Sequence, residues 1–193
     1  MSSLSSPLYL GLDLSTQQLK GSSPPSRDLG HRGLLSVSFL AIVITQELQV
    51  VCNAKVEFDA DLPKYGVRKG VHVNEEEQEV YAPVAMWLEA LDLVLERLKV
   101  NGLQFGNVRG VGGAGQQHGS IYWSQAADRL LEALDPSKTL VEQLVPSAFS
   151  HPWSPNWQDA STRRECDRFN ECLGGEEDLA KVTGSRAHHV SLN

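Results

Sequence analysis

Four leucines at alternate positions, Leu8, Leu10, Leu12 and Leu14, constrain this chain more than any other stretch. Period-two apolar spacing puts one face of an extended strand into a core. Asp13 falls on the opposite face near the strand's end, and Ser15, Thr16, Gln17 and Gln18 follow at once. Backbone amides, two hydroxyls and a carboxylate thereby converge on one turn. Phosphoryl-transfer sites need this mixture: donors for phosphate oxygens, and a carboxylate to hold hydrated magnesium or orient water. An ordinary strand closed by a polar turn reads the same way, so the stretch alone does not decide function.

The rest of the chain bounds the reading. Its 193 residues are enough for one domain with a real core, and 41% apolar with 21% charged residues is ordinary for a globular protein. A net charge of −7 supplies no basic excess for nucleic acid or an anionic membrane. Cys52, Cys166 and Cys172 are odd in number and lack metal-type spacing, as expected of reduced thiols in a cytoplasmic protein. The start has no basic residue and no apolar run of the secretory kind. Leu34 to Ile44 is apolar but too short to span a bilayer, which takes about 20 residues.

In chain order, Gly21 to Gly33 is a Gly/Ser/Pro-rich run. Ala41–Thr45 then reads as a buried strand and Gln49–Phe58 as a third, alternating one, giving an antiparallel meander. Asn74, followed by Glu75, Glu76 and Glu77, reads as a helix start, with a short helix before Pro83 and a main one from Pro83 to Lys99. Val108–Gly113 reads as a glycine-rich strand, Ala114–Ser120 as a loop, and Ile121–Trp123 as strand again. Short helices are expected over Ala126–Leu134, Leu140–Leu144, from Asp159 or Ser161 to Leu173, and over Glu176–Lys181.

Two stretches have the chemistry to read hydroxyls. In Gly112-Gly-Ala-Gly-Gln116-Gln117-His118-Gly119, small residues admit a close backbone approach, and two amides and an imidazole give directional hydrogen bonds. A loop histidine is by itself more often solvent-exposed than functional. In Ser154-Pro-Asn-Trp157-Gln-Asp159, an indole lies beside a carboxylate, which suits a carbohydrate; a packed Trp157 and a capping Asp159 explain it equally well. Arg186 alone reads as a surface arginine, and adjacent His188 and His189 do not make a metal site.

Gly11-Leu-Asp13-Leu-Ser15-Thr16 resembles the first strand and phosphate turn of the ribonuclease-H-like, actin-like ATPases. With Gln17-Gln18-Leu19-Lys20, and with Gly-Gln-Gln-His-Gly-Ser-Ile-Tyr-Trp at 115–123, the chain resembles the FGGY family of sugar kinases, and within it the eukaryotic xylulose kinases. The resemblance covers residues 8–20 and 41–189. It implies an α/β fold, an incomplete actin-like ATPase domain whose mixed sheet opens with the antiparallel meander. It implies transfer of the ATP γ-phosphoryl group to D-xylulose, with Mg2+ screening charge, in the cytoplasm. His118 and Arg186 would be sugar ligands, with Gln117, Trp157 and Asp159 lining the substrate, and Asp13, Ser15 and Thr16 would face phosphate and magnesium. No aspartate here matches the family's catalytic base, which is expected beyond Asn193 with the C-terminal nucleotide-binding domain.

Gly21–Leu40 interrupts the resemblance, and deleting it restores a continuous hairpin text, Ser-Thr-Gln-Gln-Leu-Lys-Ala-Ile-Val-Ile-Thr. A structureless loop of that length inside a compact meander is unusual. The segment is therefore expected to be retained intron sequence, and residues 190–193 an aberrant C-terminus. On this reading residues 1–193 are a partial kinase domain without activity. A sugar-binding module without catalysis and a mis-spliced product without function are the alternatives.

Overall fold

The computed structural model of the chain describes residues 6–15 and 37–188. Thr16, residues 17–36 of the turn and insertion, and the 189–193 end lie outside the described residues.

Strands β1 (Leu8–Ser15), β2 (Ser38–Thr45) and β3 (Val50–Glu57) form the expected antiparallel meander. A later strand, β6 (Val108–Ala114), pairs parallel to β1, so the sheet order is β3-β2-β1-β6. Alternation decides its inner face: Leu10, Phe39, Ala41, Val43, Ala54 and Val56 are all buried, with Leu8, Leu12 and Leu14 packed against them. One strand boundary differs from the sequence expectation. β2 begins at Ser38 rather than Ala41, and Val37 is buried beside Phe58 and Gly70. Phe39 takes the inner-face position that continues the Ala41/Val43 alternation, so the pattern extends three residues earlier than expected.

Helix α2 (Val84–Val100) lies across that face, with Met86, Ala90, Val94 and Leu98 fully buried at helical spacing and Trp87 beside them. Pro83 stands at its N-cap, so the helix starts at Val84, one residue later than expected. Its end is a Schellman motif: Leu103 N–H donates to the Leu98 carbonyl and Gly102 N–H to that of Lys99, each at 3.0 Å. Gly102, at φ 91°, supplies the left-handed residue that this closure needs.

The helix expected to start at Asn74 is instead a hairpin. Strands β4 (His72–Asn74) and β5 (Glu79–Pro83) pair antiparallel, and the glutamates form their turn. Residues before a proline are disfavoured in the helical region. A distant strand, β7 (Trp153–Pro155), also bonds to β5 and completes a three-stranded sheet. His72, Tyr81 and Trp153 cluster their rings over it at 5.1–5.8 Å.

Helix α1 (Phe58–Asp61) follows β3; α3 (Ala127–Glu132) and α4 (Leu140–Leu144) fall where expected. Helix α4 carries a capping box between Thr139 and Glu142. Ile121–Trp123 is not a strand; Trp123 makes a single bridge to Phe149 and stacks on its ring at 4.9 Å. Helices α5 (Arg163–Cys172) and α6 (Glu176–Thr183) end the described chain. The N-cap of α5 is Thr162, not Asp159 or Ser161. Among the described residues no helix is long and apolar enough to cross a membrane.

Candidate functional site

The parallel pair β1/β6 brings two sequence features to one end of the sheet. Asp13 is the register partner of Ala114, so its half-buried carboxylate stands beside the start of the 115–120 loop. Ligands of open α/β sheets characteristically sit at the carboxyl ends of parallel strands. Gly112 and Gly115 are not required by packing, since a Cβ on either would meet nothing within 4 Å. They leave bare backbone along the rim. Ser15 ends β1 opposite Ser38.

The loop itself is built as a tight turn. Gly119 N–H donates to the Gln116 carbonyl at 3.2 Å, and His118 adopts a left-handed conformation with φ 61°. Gln117 and His118 are exposed. The following residue anchors the turn to the smaller sheet, where Ser120 N–H donates to the Pro155 carbonyl at 3.3 Å. Ser154, fully buried, lies beneath Gly119. The Gln-Gln-His-Gly loop and the Ser-Pro-Asn-Trp loop are therefore neighbours, although they are distant in sequence.

Trp157 is 42% exposed and free to offer a ring face. Asp159 is different: it is 3% exposed and both oxygens are engaged. Oδ2 accepts from Val80 N–H at 2.8 Å, and Oδ1 accepts from the Ser161 hydroxyl at 2.6 Å and its N–H at 3.2 Å. Asn156 works beside it. Its N–H donates to the Val80 carbonyl, and its Oδ1 accepts from Gln158 N–H at 2.8 Å. These two residues hold the Trp157 loop against β5. Asn156 was not singled out from sequence; the Pro-Asn dipeptide of a turn was its signal.

Arg186 lies after α6, and its guanidinium reaches Glu176 at 3.2 Å. The adjacent Ala187 N–H donates to the buried Asn170 side chain at 3.0 Å, which pins this segment to α5. No described hydrogen bond joins Arg186 to the 115–120 loop. Among the described residues no cluster of three His, Cys, Asp or Glu side chains forms a metal site.

A cavity of about 370 Å3 opens on the other face of the sheet end, walled by Leu12, Leu14, Trp87, Leu88, Trp123 and Phe149. Its walls are apolar and suit neither a polyol nor a phosphate. The polar candidates lie on the Asp13 side and in the two loops.

Comparison with known proteins converges on one group. Over 190 residues, or 98% of its length, the chain is 53% identical to a probable D-xylulose kinase A of Arthroderma otae. It is 55% identical over 183 residues to a protein of the same description from Aspergillus clavatus. The chain spans 30% and 28% of those two proteins. Its structure overlays that of a xyloylose kinase from Brucella ovis with a TM-score of 0.54 at 18% identity, over 93% of this chain and 26% of that one. No protein-family model matches the chain. The fold is thus that of the matching part of the Brucella ovis protein, and by sequence nearly the whole chain is similar to about 30% of the length of proteins described as D-xylulose kinases.

Proposed function

We propose that the chain carries the sugar-reading part of an ATP-dependent D-xylulose kinase, a cytoplasmic enzyme that makes D-xylulose 5-phosphate. The observation behind this is identity of 53–55% along nearly the whole chain, hydroxyl-reading loop included, with proteins described as D-xylulose kinases. In the reading, Gln117, His118 and Arg186 bond sugar hydroxyls, and Trp157 offers an apolar face. Asp159 acts by holding the Trp157 loop in place. Asp13 faces the phosphates of ATP; the Ser15 side chain and Thr16, grouped with it from sequence, lie outside what the structure describes.

The donor set at Asp13 fits magnesium that arrives already bound to ATP. Mg2+ keeps several waters and is held through one or two carboxylates plus substrate phosphates. Asp13 would hold it through such water, and the metal would screen charge on the transferred group. The chain's own residues bind and orient the sugar.

Residues 21–40 are, on this reading, retained intron sequence. Sequencing the mature transcript tests that part: a dominant spliced message containing 21–40 would refute it. Titration calorimetry of residues 1–193 with D-xylulose tests the sugar reading. Binding without turnover favours a sugar-reading portion; absence of binding removes the sugar assignment from these loops.

A further inference from the structure

The side chain of Gln116 is the one part of the hydroxyl-reading loop that faces inward. Its Oε1 and Nε2 are both inaccessible to solvent, and neither has a hydrogen-bond partner among the described residues. Its neighbours Gln117 and His118 point outward and are exposed. Burying an unpaired amide is costly, because water's hydrogen bonds are lost and nothing replaces them. Here a donor group and an acceptor group of one side chain are both left unpaired.

Local geometry shows what holds it there. The Gln116 backbone carbonyl closes the turn onto Gly119 N–H, and a Cβ at Gly119 would sit 3.6 Å from Gln116 Cβ and 3.7 Å from Ser154 Oγ. Gln116 and the buried Ser154 hydroxyl therefore flank Gly119. In the same turn, His118 stays in the left-handed region, which non-glycine residues rarely adopt. The ligand-free turn thus combines a left-handed histidine with a buried, unpaired carboxamide, each of which costs free energy.

We infer that Gln116 is a ligand-binding residue for a vicinal diol: when the Gln116–Gly119 turn lifts, its Oε1 accepts from one ligand hydroxyl and its Nε2 donates to the next. A carboxamide offers an acceptor and a donor side by side, and two adjacent hydroxyls offer their complement. The unpaired state of the ligand-free chain is then relieved on binding, which adds to affinity for polyols and to none lacking the adjacent pair. The inference rests on the sugar reading of this loop but names a different group and a different motion.

The test uses residues 1–193 and two variants, Gln116→Met and Gln116→Glu, melted alone and with D-xylulose, ribitol or 1-deoxy-D-xylulose. Methionine fills similar volume without polar atoms, so Gln116→Met should melt about 2–4 °C above wild type. It should also lose the upward shift that polyols give the wild type. Gln116→Glu keeps an acceptor and loses the donor, so it should retain a reduced shift. A Gln116→Met variant that melts lower, or that keeps the full polyol shift, overturns the inference. If D-xylulose shifts both wild type and Gln116→Met equally, the sugar reading stands and Gln116 falls. If ribitol shifts the wild type and D-xylulose does not, with Gln116→Met blind to both, Gln116 stands and the D-xylulose reading falls. A wild type blind to all three polyols overturns both.

Discussion

Asp13 on β1 and Leu40 on β2 are register partners, directly opposed across the antiparallel pair. Leu40 belongs to the stretch proposed above to be inserted sequence, so an apolar residue stands opposite the Asp13 carboxylate. Removing residues 21–40 joins Lys20 to Ala41 and brings Lys20 into that register position, with Leu19 in the inner-face position of Phe39. Thr16 and Gln17 then become a two-residue hairpin loop, the length that antiparallel neighbours favour. An opposed pair of unlike charges contributes about 0.2–1 kcal/mol, and a shorter loop costs less closure entropy. The deletion variant should therefore melt higher than the 193-residue chain. A lower melting point would mean that Val37 and Phe39 contribute more packing than the hairpin regains.

The left-handed backbone at His118 decides how its role has to be tested. Replacing it with alanine would remove the imidazole and strain the turn together. His118→Gly removes the imidazole alone, because glycine adopts this conformation freely. In a kinase completed with the portion its relatives carry and lacking residues 21–40, His118→Gly should raise the sugar KM by about 2- to 13-fold, the range for one neutral hydrogen bond. Arg186→Ala should act the same way, and the KM for ATP should hold for both. An equal rise for both substrates would point to misfolding rather than lost sugar contacts.

Asp159 separates a sugar contact from a structural one. Its oxygens accept from Val80 N–H, Ser161 N–H and the Ser161 hydroxyl while it is almost wholly buried. Asp159→Asn places an NH2 against a donor, which costs about 1–3 kcal/mol. The expected result is a lower denaturant midpoint, with sugar affinity of the folded chain nearly unchanged. Weaker sugar binding at an unchanged midpoint would make Asp159 a ligand contact after all.

What the sequence carried, and what it did not, divides by the range of the interactions. The leucine alternation of β1, the stripe of α2 and the glycine-rich β6 are local patterns, and each appears in the structure within a residue or two. The β4/β5 hairpin failed because Asn74 and three glutamates imitate a helix start, while the partner that selects the strand, β7, lies some 70 residues on. Asp159 looks like a local cap for the same reason, since its main bond crosses 79 positions to Val80. At the site, the exposed chemistry of Gln117 and His118 was legible from residue type. The inward aim of Gln116 was not, since neighbouring glutamines look alike until the turn is folded.

Acid should weaken the chain partly through one ion pair. Arg97 Nη2 lies 2.8 Å from Asp61 Oδ1, Arg97 Nη1 lies 3.0 Å from Oδ2, and Glu57 N–H donates to that second oxygen at 2.7 Å. The Arg97 guanidinium, opposed by partial burial and helped by the Glu57 amide, holds the Asp61 carboxyl below its ordinary value of 3.8. A depressed folded value means that the unfolded chain takes up the proton first. The stabilisation is thus present above 3.8 and is lost as pH falls through the folded value. Because the pair is partly exposed, it is worth about 1 kcal/mol or less. Asp61→Asn should destabilise the chain at neutral pH and flatten the acid limb of a stability–pH curve. Parallel curves for variant and wild type would assign that limb to other carboxylates.

Residues 1–193 alone should show no sugar-dependent kinase turnover. Catalysis of phosphoryl transfer is almost entirely positioning and electrostatic stabilisation around the transferred group. A base toward the sugar hydroxyl must sit within hydrogen-bond reach of it. Asp13 faces the phosphate end of β1 in the reading above, and Asp159 is closed off by three hydrogen bonds of its own. The chain also spans about 30% of its kinase relatives, so most of the groups that could close over ATP belong to the remainder. Binding and turnover should therefore come apart: a calorimetric signal with D-xylulose, and no ADP release above background when ATP, Mg2+ and D-xylulose are supplied together. Sugar-dependent ADP release that survives rigorous removal of host kinases, and that Asp13→Asn abolishes, would show that the described residues already hold a complete site.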